Sequence, residues 1–201
     1  MKALLLALFL SALAAGPFDN SQDVGTTPKP GSAEYDAATR TYRITGGGAD
    51  IWAKEDAFQF VYRKISGDVT LSADVHFLDK GVEAHRKLAL MVRQSLAPNS
   101  AYADVTLHGD GSTALQYRPS TGVDTSEFRA AMKSPTHLSI TRHGNEFTIS
   151  ATDVGVQPAT VGPVIVTMQD PVYVGLAVCS HNTNVLETAT FSNVKLQVLP
   201  R

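Results

Sequence analysis

The strongest constraint on the fold is a two-residue hydrophobic period that runs through the chain from Tyr42 onward. Between residues 69 and 77, Val, Leu, Ala, Val and Phe alternate with Thr, Ser, Asp and His. Because successive side chains of a β-strand point to opposite faces, this pattern buries one face of each strand. Turn residues separate the apolar runs, for example at 66–68, 109–111 and 144–145. The sequence therefore predicts an all-β fold, an antiparallel two-sheet sandwich of about ten strands.

One segment, "SEFRAAMK" from Ser126 to Lys133, lacks the turn residues and reads as a helix instead. Ser126 is a suitable N-cap residue, and Pro135 would end the helix shortly afterwards. We expect a short helical connector at this place.

The first fifteen residues have the pattern of a secretory signal peptide. Lys2 precedes an apolar run from 3 to 15, and Ala12-Leu13-Ala14 forms a cleavage site of the A-x-A type. The run is shorter than the roughly 20 apolar residues that a membrane span needs. We therefore expect a signal peptide at 1–15, one domain at 16–201, no membrane span, and a secreted or periplasmic protein.

Charge and cysteine content exclude several classes of function. The net charge is −2 and no basic cluster is present, so the chain lacks the electrostatic footprint of a nucleic-acid-binding protein. Cys179 is the only cysteine, so no internal disulfide can form. A single cysteine in a strand is expected to be a small buried apolar group rather than a nucleophile.

Three consecutive glycines at 46–48 precede the only Trp of the chain, Trp52. A phosphate-binding loop would continue with Lys-Ser/Thr and a helix, whereas this sequence continues into another strand. The glycines therefore predict a loop between two strands. For Trp52 two interpretations stay open, since its ring could stack on a sugar or could cover one end of the core.

Five stretches resemble the concanavalin A-like lectin/glucanase superfamily. They are "YDAATRTYRITGGGADIW", "DAFQFVYRKISGDVTLSADV", "KLALMVRQSLAPNSAYADVTL", "SPTHLSITRHGNEFTIS" and "VYVGLAVCSHNTNVLETATFSNVKL", which together span 35–196. Their order is similar to that of exported domains of uncharacterised function, related to the C-terminal module of some β-xylosidases. The resemblance implies a jelly roll with one concave and one convex sheet.

The resemblance does not imply a single activity, because this fold carries lectins, hydrolases, lyases and structural modules. The chain has His137 where relatives usually carry Trp, and "ATDVGVQPATVG" lacks a second expected Trp. It also lacks the Glu-x-Asp-x-x-Glu run of the glucanases, so no catalytic residue is assigned. No cofactor or metal motif is present. Calcium, common in the superfamily, would find oxygen ligands among the loop residues Asp19, Asp23, Asp50, Asp110, Asn182 and Asn184.

Strand parity selects the candidate binding residues. If Leu90 and Leu115 face the core, then polar residues of alternate parity face outward and could meet on the concave sheet. Such side chains suit sugar hydroxyls or a uronate carboxylate, although a solvated sheet face would carry them equally well. The indole ring of Trp52, which follows the three glycines, is added to this set. The predicted binding residues are Trp52, Gln59, Arg93, Gln116, Arg118 and His181.

These observations favour an exported module that binds a partner without transforming it, with a glycan as the first choice of ligand. Two alternatives remain open at this point. One is a polysaccharide-active enzyme, a glycoside hydrolase or a lyase, and the other is a module that docks onto another exported protein.

Overall fold

The computed structural model describes residues 16–200, and within them every regular element is a β-strand. Strands are numbered along the chain. In spatial order, the front sheet contains β1 (Asn20–Val24), β6 (Phe58–Ile65), β15 (Val172–Cys179), β8 (Lys87–Arg93), β9 (Tyr102–His108), β10 (Ser112–Arg118) and β11 (Ser126–Lys133). The back sheet contains β14 (Ala159–Ile165), β13 (Glu146–Thr152), β12 (His137–His143), β7 (Val69–Phe77), β16 (Glu187–Val198), β3 (Thr41–Gly46) and β2 (Ser32–Asp36). A small hairpin joins β4 (Ile51–Trp52) to β5 (Glu55–Asp56).

All paired strands are antiparallel, which confirms the predicted two-sheet jelly-roll sandwich. Aliphatic side chains from the two sheets fill the space between them. Leu90, Leu115 and Val174 are fully buried there, on the parity that the sequence predicts. Each aliphatic side chain of this size contributes about 1.5–3 kcal/mol through burial.

Strand β6 has the opposite orientation to the one that the sequence pattern predicts. Phe58 and Phe60 point away from the back sheet, into a second apolar cluster on the outer side of the front sheet. Gln59 lies opposite Val178 in the register and therefore points inward, where it is 2% exposed. The strand is apolar on both faces, so period-two reasoning could not decide its parity.

The helix predicted at Ser126–Lys133 is wrong, because this segment is the edge strand β11. Ala130 and Met132 pack against the sandwich core at alternate positions, and Phe128, on the same parity, is half exposed and stacks on Tyr117. Their partner β10 supplies the backbone hydrogen bonds, so tertiary pairing overrides the local helix propensity.

The predicted signal peptide at residues 1–15 lies outside the described residues, so export stays a prediction. Within residues 16–200, no helix has the length and apolar character that crossing a membrane requires.

Candidate functional site

The hairpin β4–β5 is held over the outer face of the front sheet by a buried ionic clasp. Both oxygens of Asp56 accept hydrogen bonds from Arg118, at 2.6 and 2.8 Å, and Arg93 lies 3.4 Å from Oδ2. Arg118 also donates to the carbonyls of Trp52 and Ala53. All three charged side chains are fully buried. The clasp fixes the hairpin, and with it the position of the Trp52 side chain.

The glycine-rich loop brings the chain from the back sheet to this hairpin. Strand β3 ends at Gly46 and β4 begins at Ile51, so the predicted loop between two strands is confirmed. Gly48 has a φ of +111°, and a Cβ at this position would lie 1.9 Å from the carbonyl oxygen of Ala57. Only glycine fits such a conformation and such a close approach. The glycines allow the backbone to follow this path. The loop leads into a strand, so it offers no helix N-terminus to an anion.

Beside the hairpin, the outer face of the front sheet opens into a depression of about 230 Å³, the front pocket. It lies between the hairpin, the loop before β8, the turn after β15, and the strands β9 to β11. The side chains that line it are Asp50, Trp52, His85, Lys87, His108, Gln116, Glu127, Arg129 and His181. One broad ring and eight polar side chains therefore surround one open space.

The cations of the front pocket each have a carboxylate partner inside it. The ammonium group of Lys87 contacts Asp50, donates to the carbonyl of Ile51 at 3.0 Å, and lies 5.7 Å from the centre of the Trp52 ring. On the opposite side, Nε of Arg129 donates to Oε1 of Glu127 at 2.9 Å. With histidines counted as neutral, the two cations and two carboxylates balance.

Three histidine rings meet at the rim of the pocket. The ring centres of His85 and His181 are 5.5 Å apart, and those of His85 and His108 are 6.1 Å apart. Burial, reinforced by the charge of Lys87, lowers the pKa of His108 to about 4, so this ring is neutral near pH 7. Its Nδ1 lies 3.2 Å from the carbonyl oxygen of Ser112, which fixes the proton on Nδ1. Nδ1 of His181 lies 3.3 Å from Asp50.

One buried oxygen that lines the pocket, and another on the neighbouring strand, have no hydrogen-bond partner. Gln116 is 1% exposed and donates from Nε2 to Glu127 at 3.3 Å, while its Oε1 has no hydrogen-bond partner. Asp104 lies directly opposite Gln116 on β9, and its Oδ2 is also unpartnered. Burial raises the pKa of Asp104 to about 7, against the hydrogen bond from Thr106. A ligand in the pocket can satisfy the unpaired Oε1 of Gln116 by donating a hydrogen bond to it.

The structure brings three of the six predicted binding residues, Trp52, Gln116 and His181, together in the front pocket. The other three lie elsewhere. Gln59 points into the sandwich, and Arg93 and Arg118 face the predicted side of the sheet but are covered by the hairpin that they hold.

The sequence reasoning missed six lining residues: Asp50, His85, Lys87, His108, Glu127 and Arg129. Strand parity already contained the signal for two of them. Lys87 and His108 alternate with Leu88 and Leu107, which face the core. The misassigned helix at β11 concealed Glu127 and Arg129. The segment 81–86, before β8, contributes His85 to the rim.

A broader depression of about 480 Å³ lies on the outer face of the back sheet. His137 occupies it, with Nδ1 2.6 Å from Asp74, whose other oxygen accepts from Asn193 at 2.6 Å. No Trp, Tyr or Phe of the described residues lines it. The front pocket, with Trp52, is therefore the better candidate for sugar binding.

No group of three or more His, Cys, Asp or Glu side chains within residues 16–200 is placed to hold a metal ion. Three of the side chains suggested as calcium ligands have other partners. Asp110 accepts from Ser112, Asn182 donates to Glu83, and Asp50 contacts Lys87. Calcium binding stays a prediction of the resemblance alone.

Comparison with known proteins gives likeness of structure but not of sequence. No family model matches the chain, and no curated protein matches it in sequence. A solved structure of a functionally unknown protein from Saccharomyces cerevisiae superposes with a TM-score of 0.64 at 16% identity, covering 90% of this chain and 98% of the other.

Two further solved structures that are similar to this chain are a xylosidase and a lectin. The xylan β-1,4-xylosidase of Bacillus halodurans C-125 matches with a TM-score of 0.59 at 14% identity, over 82% of this chain and 34% of that chain, so the match spans about a third of the xylosidase. Lectin II from Ulex europaeus matches with a TM-score of 0.55 at 10% identity, over 90% and 100% of the two chains. At these identities the likeness shows the fold alone. The chain has the concanavalin A-like jelly-roll fold, shared with lectins and with a module of a xylosidase.

Proposed function

We propose that this protein is an exported, non-catalytic carbohydrate-binding module that holds a sugar in the front pocket. The observation that carries the proposal is the grouping of Trp52 with hydrogen-bonding side chains around one open depression. Sugar sites combine an apolar ring, which covers the C–H face of a sugar, with polar groups that reach its hydroxyls. Lectin II from Ulex europaeus, which has the same fold, adds support.

The ionisation of the lining groups favours binding over catalysis. A glycosidase needs a carboxylic acid with a raised pKa as its proton donor. Asp104 has a raised pKa, but it is completely buried and does not line the pocket, so it cannot reach a ligand there. Burial favours the protonated form of Glu127, but hydrogen bonds from Arg129 and Gln116 outweigh it and lower the pKa of this carboxyl. The thiol of Cys179 is no alternative nucleophile, since burial raises its pKa to about 12.

A glycan array probed with residues 16–201, followed by calorimetry on the best ligand, tests the proposal. We expect Trp52→Ala to weaken binding at least about tenfold, equivalent to about 1.4 kcal/mol. Phe128→Ala is the matched control, because it removes an exposed ring of the same sheet outside the pocket and should leave affinity unchanged. Arg129→Ala provides a second pocket variant at an exposed side chain, in case Trp52→Ala does not fold.

Four results would overturn the proposal. Release of reducing ends from a bound polysaccharide would identify a hydrolase, and products with a new ultraviolet absorbance would identify a lyase. Capture of a protein partner without any glycan signal would identify an interaction module. Glycan binding that survives both pocket variants would exclude the front pocket as the site.

A further inference from the structure

The charges of the front pocket restrict the class of sugar that it can take. A cation that is free to pair with the sugar carboxylate gives the strongest recognition of a uronic acid. Both cations that line the pocket already have carboxylate partners in it, since Lys87 contacts Asp50 and Arg129 pairs with Glu127. A ligand carboxylate would have to displace a protein carboxylate from one of these pairs.

The acidic groups near the floor add a repulsive contribution. Glu127 and Asp104 lie on either side of Gln116, at the register positions directly opposite it on β11 and β9. Asp104 is completely buried, so little solvent screens its charge when it is ionised. A ligand carboxylate placed against Gln116 is repelled by these two carboxylates, whereas a neutral sugar is not.

The hydrogen-bonding requirement of the floor also restricts which group of a ligand can lie against Gln116. Gln116 is buried, lines the pocket, and has an oxygen that accepts no hydrogen bond. A sugar hydroxyl can donate to such an oxygen, and an ionised carboxylate cannot. Leaving a buried acceptor unpaired costs about 1–3 kcal/mol, so a ligand that supplies the missing donor gains affinity.

We infer that the front pocket selects neutral sugar units, in which C6 or its equivalent carries hydroxyl or hydrogen, and discriminates against uronic acids. This inference rests on the proposed carbohydrate-binding function and narrows it. Trp52 covers the ring of the sugar, Gln116 accepts from one hydroxyl, and Glu127 and Arg129 provide an acceptor and donors at the opposite rim.

Polysaccharides that differ only in oxidation at C6 test the inference. Polygalacturonate and polymannuronate are compared at pH 7.5 with their carboxyl-reduced forms, in which each carboxylate has become a neutral CH₂OH group. Residues 16–201 should bind at least one reduced, neutral polymer at least tenfold more tightly than its acidic parent. Trp52→Ala should abolish this binding, and Phe128→Ala should not.

A second test uses the variant Glu127→Gln, which should change the preference of the pocket between acidic and neutral polymers. It keeps the shape of the side chain but leaves the Arg129 guanidinium without its carboxylate partner. This variant should therefore gain several-fold affinity for the acidic polymers while losing affinity for the neutral ones. The matched control Asp124→Asn removes a negative charge from an exposed position outside the pocket and should change neither.

The outcomes separate the inference from the proposed function. If the acidic polymers bind as tightly as the reduced ones and Trp52→Ala abolishes both, the pocket binds carbohydrate but the inference is wrong. An unchanged preference in Glu127→Gln would also contradict it. If no polymer and no arrayed glycan binds, the proposed function itself is wrong.

Discussion

At the scale of single residues, Asp104 is the buried acid with the clearest consequence for pH dependence. It is fully buried on β9, where one oxygen accepts from Thr106 at 2.8 Å and the other has no partner. Burial raises the pKa of its carboxyl to about 7, whereas an unfolded Asp titrates near 4. Between these two values the folded protein holds a proton that the unfolded chain releases. Stability is therefore lost as pH rises from about 4 to about 7.

Asp104→Asn should remove this loss, because Asn resembles the protonated acid and cannot ionise. The difference in unfolding free energy between the variant and the original chain should grow by about 2–4 kcal/mol in favour of the variant from pH 4 to pH 8. Urea denaturation at pH 4, 6 and 8 measures the difference. Asp124→Asn, at an exposed position, should follow the original chain at every pH. Parallel profiles for Asp104→Asn and the original chain would show that Asp104 does not hold the proton.

Arg93 and Arg118 show where prediction from single residues ends. Strand parity assigned both correctly to the outer face of the front sheet, yet both are buried rather than available to a ligand. The reason is their partner Asp56, which lies 62 positions before Arg118 on a hairpin of two-residue strands. Strands this short carry no periodic signal, so the sequence could not indicate the cover.

At the scale of elements, β11 shows how one misassigned segment hides part of a site. An eight-residue segment holds little more than two helical turns, so its apolar residues fit a helix face and a strand face equally well. The alternation of charged Glu127 and Arg129 with Phe128 and Ala130 was the signal for a strand. In the structure this alternation directs Glu127 and Arg129 to the front pocket, while Ala130 packs against the core and Phe128 stacks on Tyr117.

Gly48 is the position at which the loop between β3 and β4 is most sensitive to substitution. Gly48→Ala combines a φ of +111° with a Cβ placed 1.9 Å from a backbone oxygen that cannot move independently. We expect a loss of about 2–4 kcal/mol of unfolding free energy, from backbone strain and displacement of the hairpin. Chemical denaturation measures this loss.

Gly155→Ala is the matched control for Gly48→Ala. It also has a positive φ, +74°, but nothing lies within 4 Å of its added Cβ. It should cost only the strain of a left-handed residue, about 1–2 kcal/mol. Equal losses for the two variants would show that the close approach at Gly48 contributes nothing.

At the scale of the whole molecule, the alternation of apolar residues was sufficient to predict two packed antiparallel sheets. It failed to predict that the centre of the front sheet is buried on both of its faces. All seven residues of β8 and all seven of β9 are buried, including Lys87, Asp104 and Thr106. Polar residues on one face of a sheet normally indicate that this face is exposed to solvent. Here the hairpin and the loops around the pocket cover them, and this cover depends on contacts that are distant in sequence.

Burial on both faces predicts the distribution of local stability across the sandwich. Amides in β8 and β9 can exchange only when the protein opens extensively, whereas β2 and β14 are edge strands with mostly exposed side chains. Hydrogen–deuterium exchange followed by mass spectrometry should therefore show β8 and β9 exchanging at least about a hundredfold more slowly than β2 and β14, after correction for intrinsic rates. The same amides measured in denaturing urea provide the reference. If β8 exchanged as fast as the edge strands, the covered front face would be a transient arrangement, and the pocket built on it would lack a rigid floor.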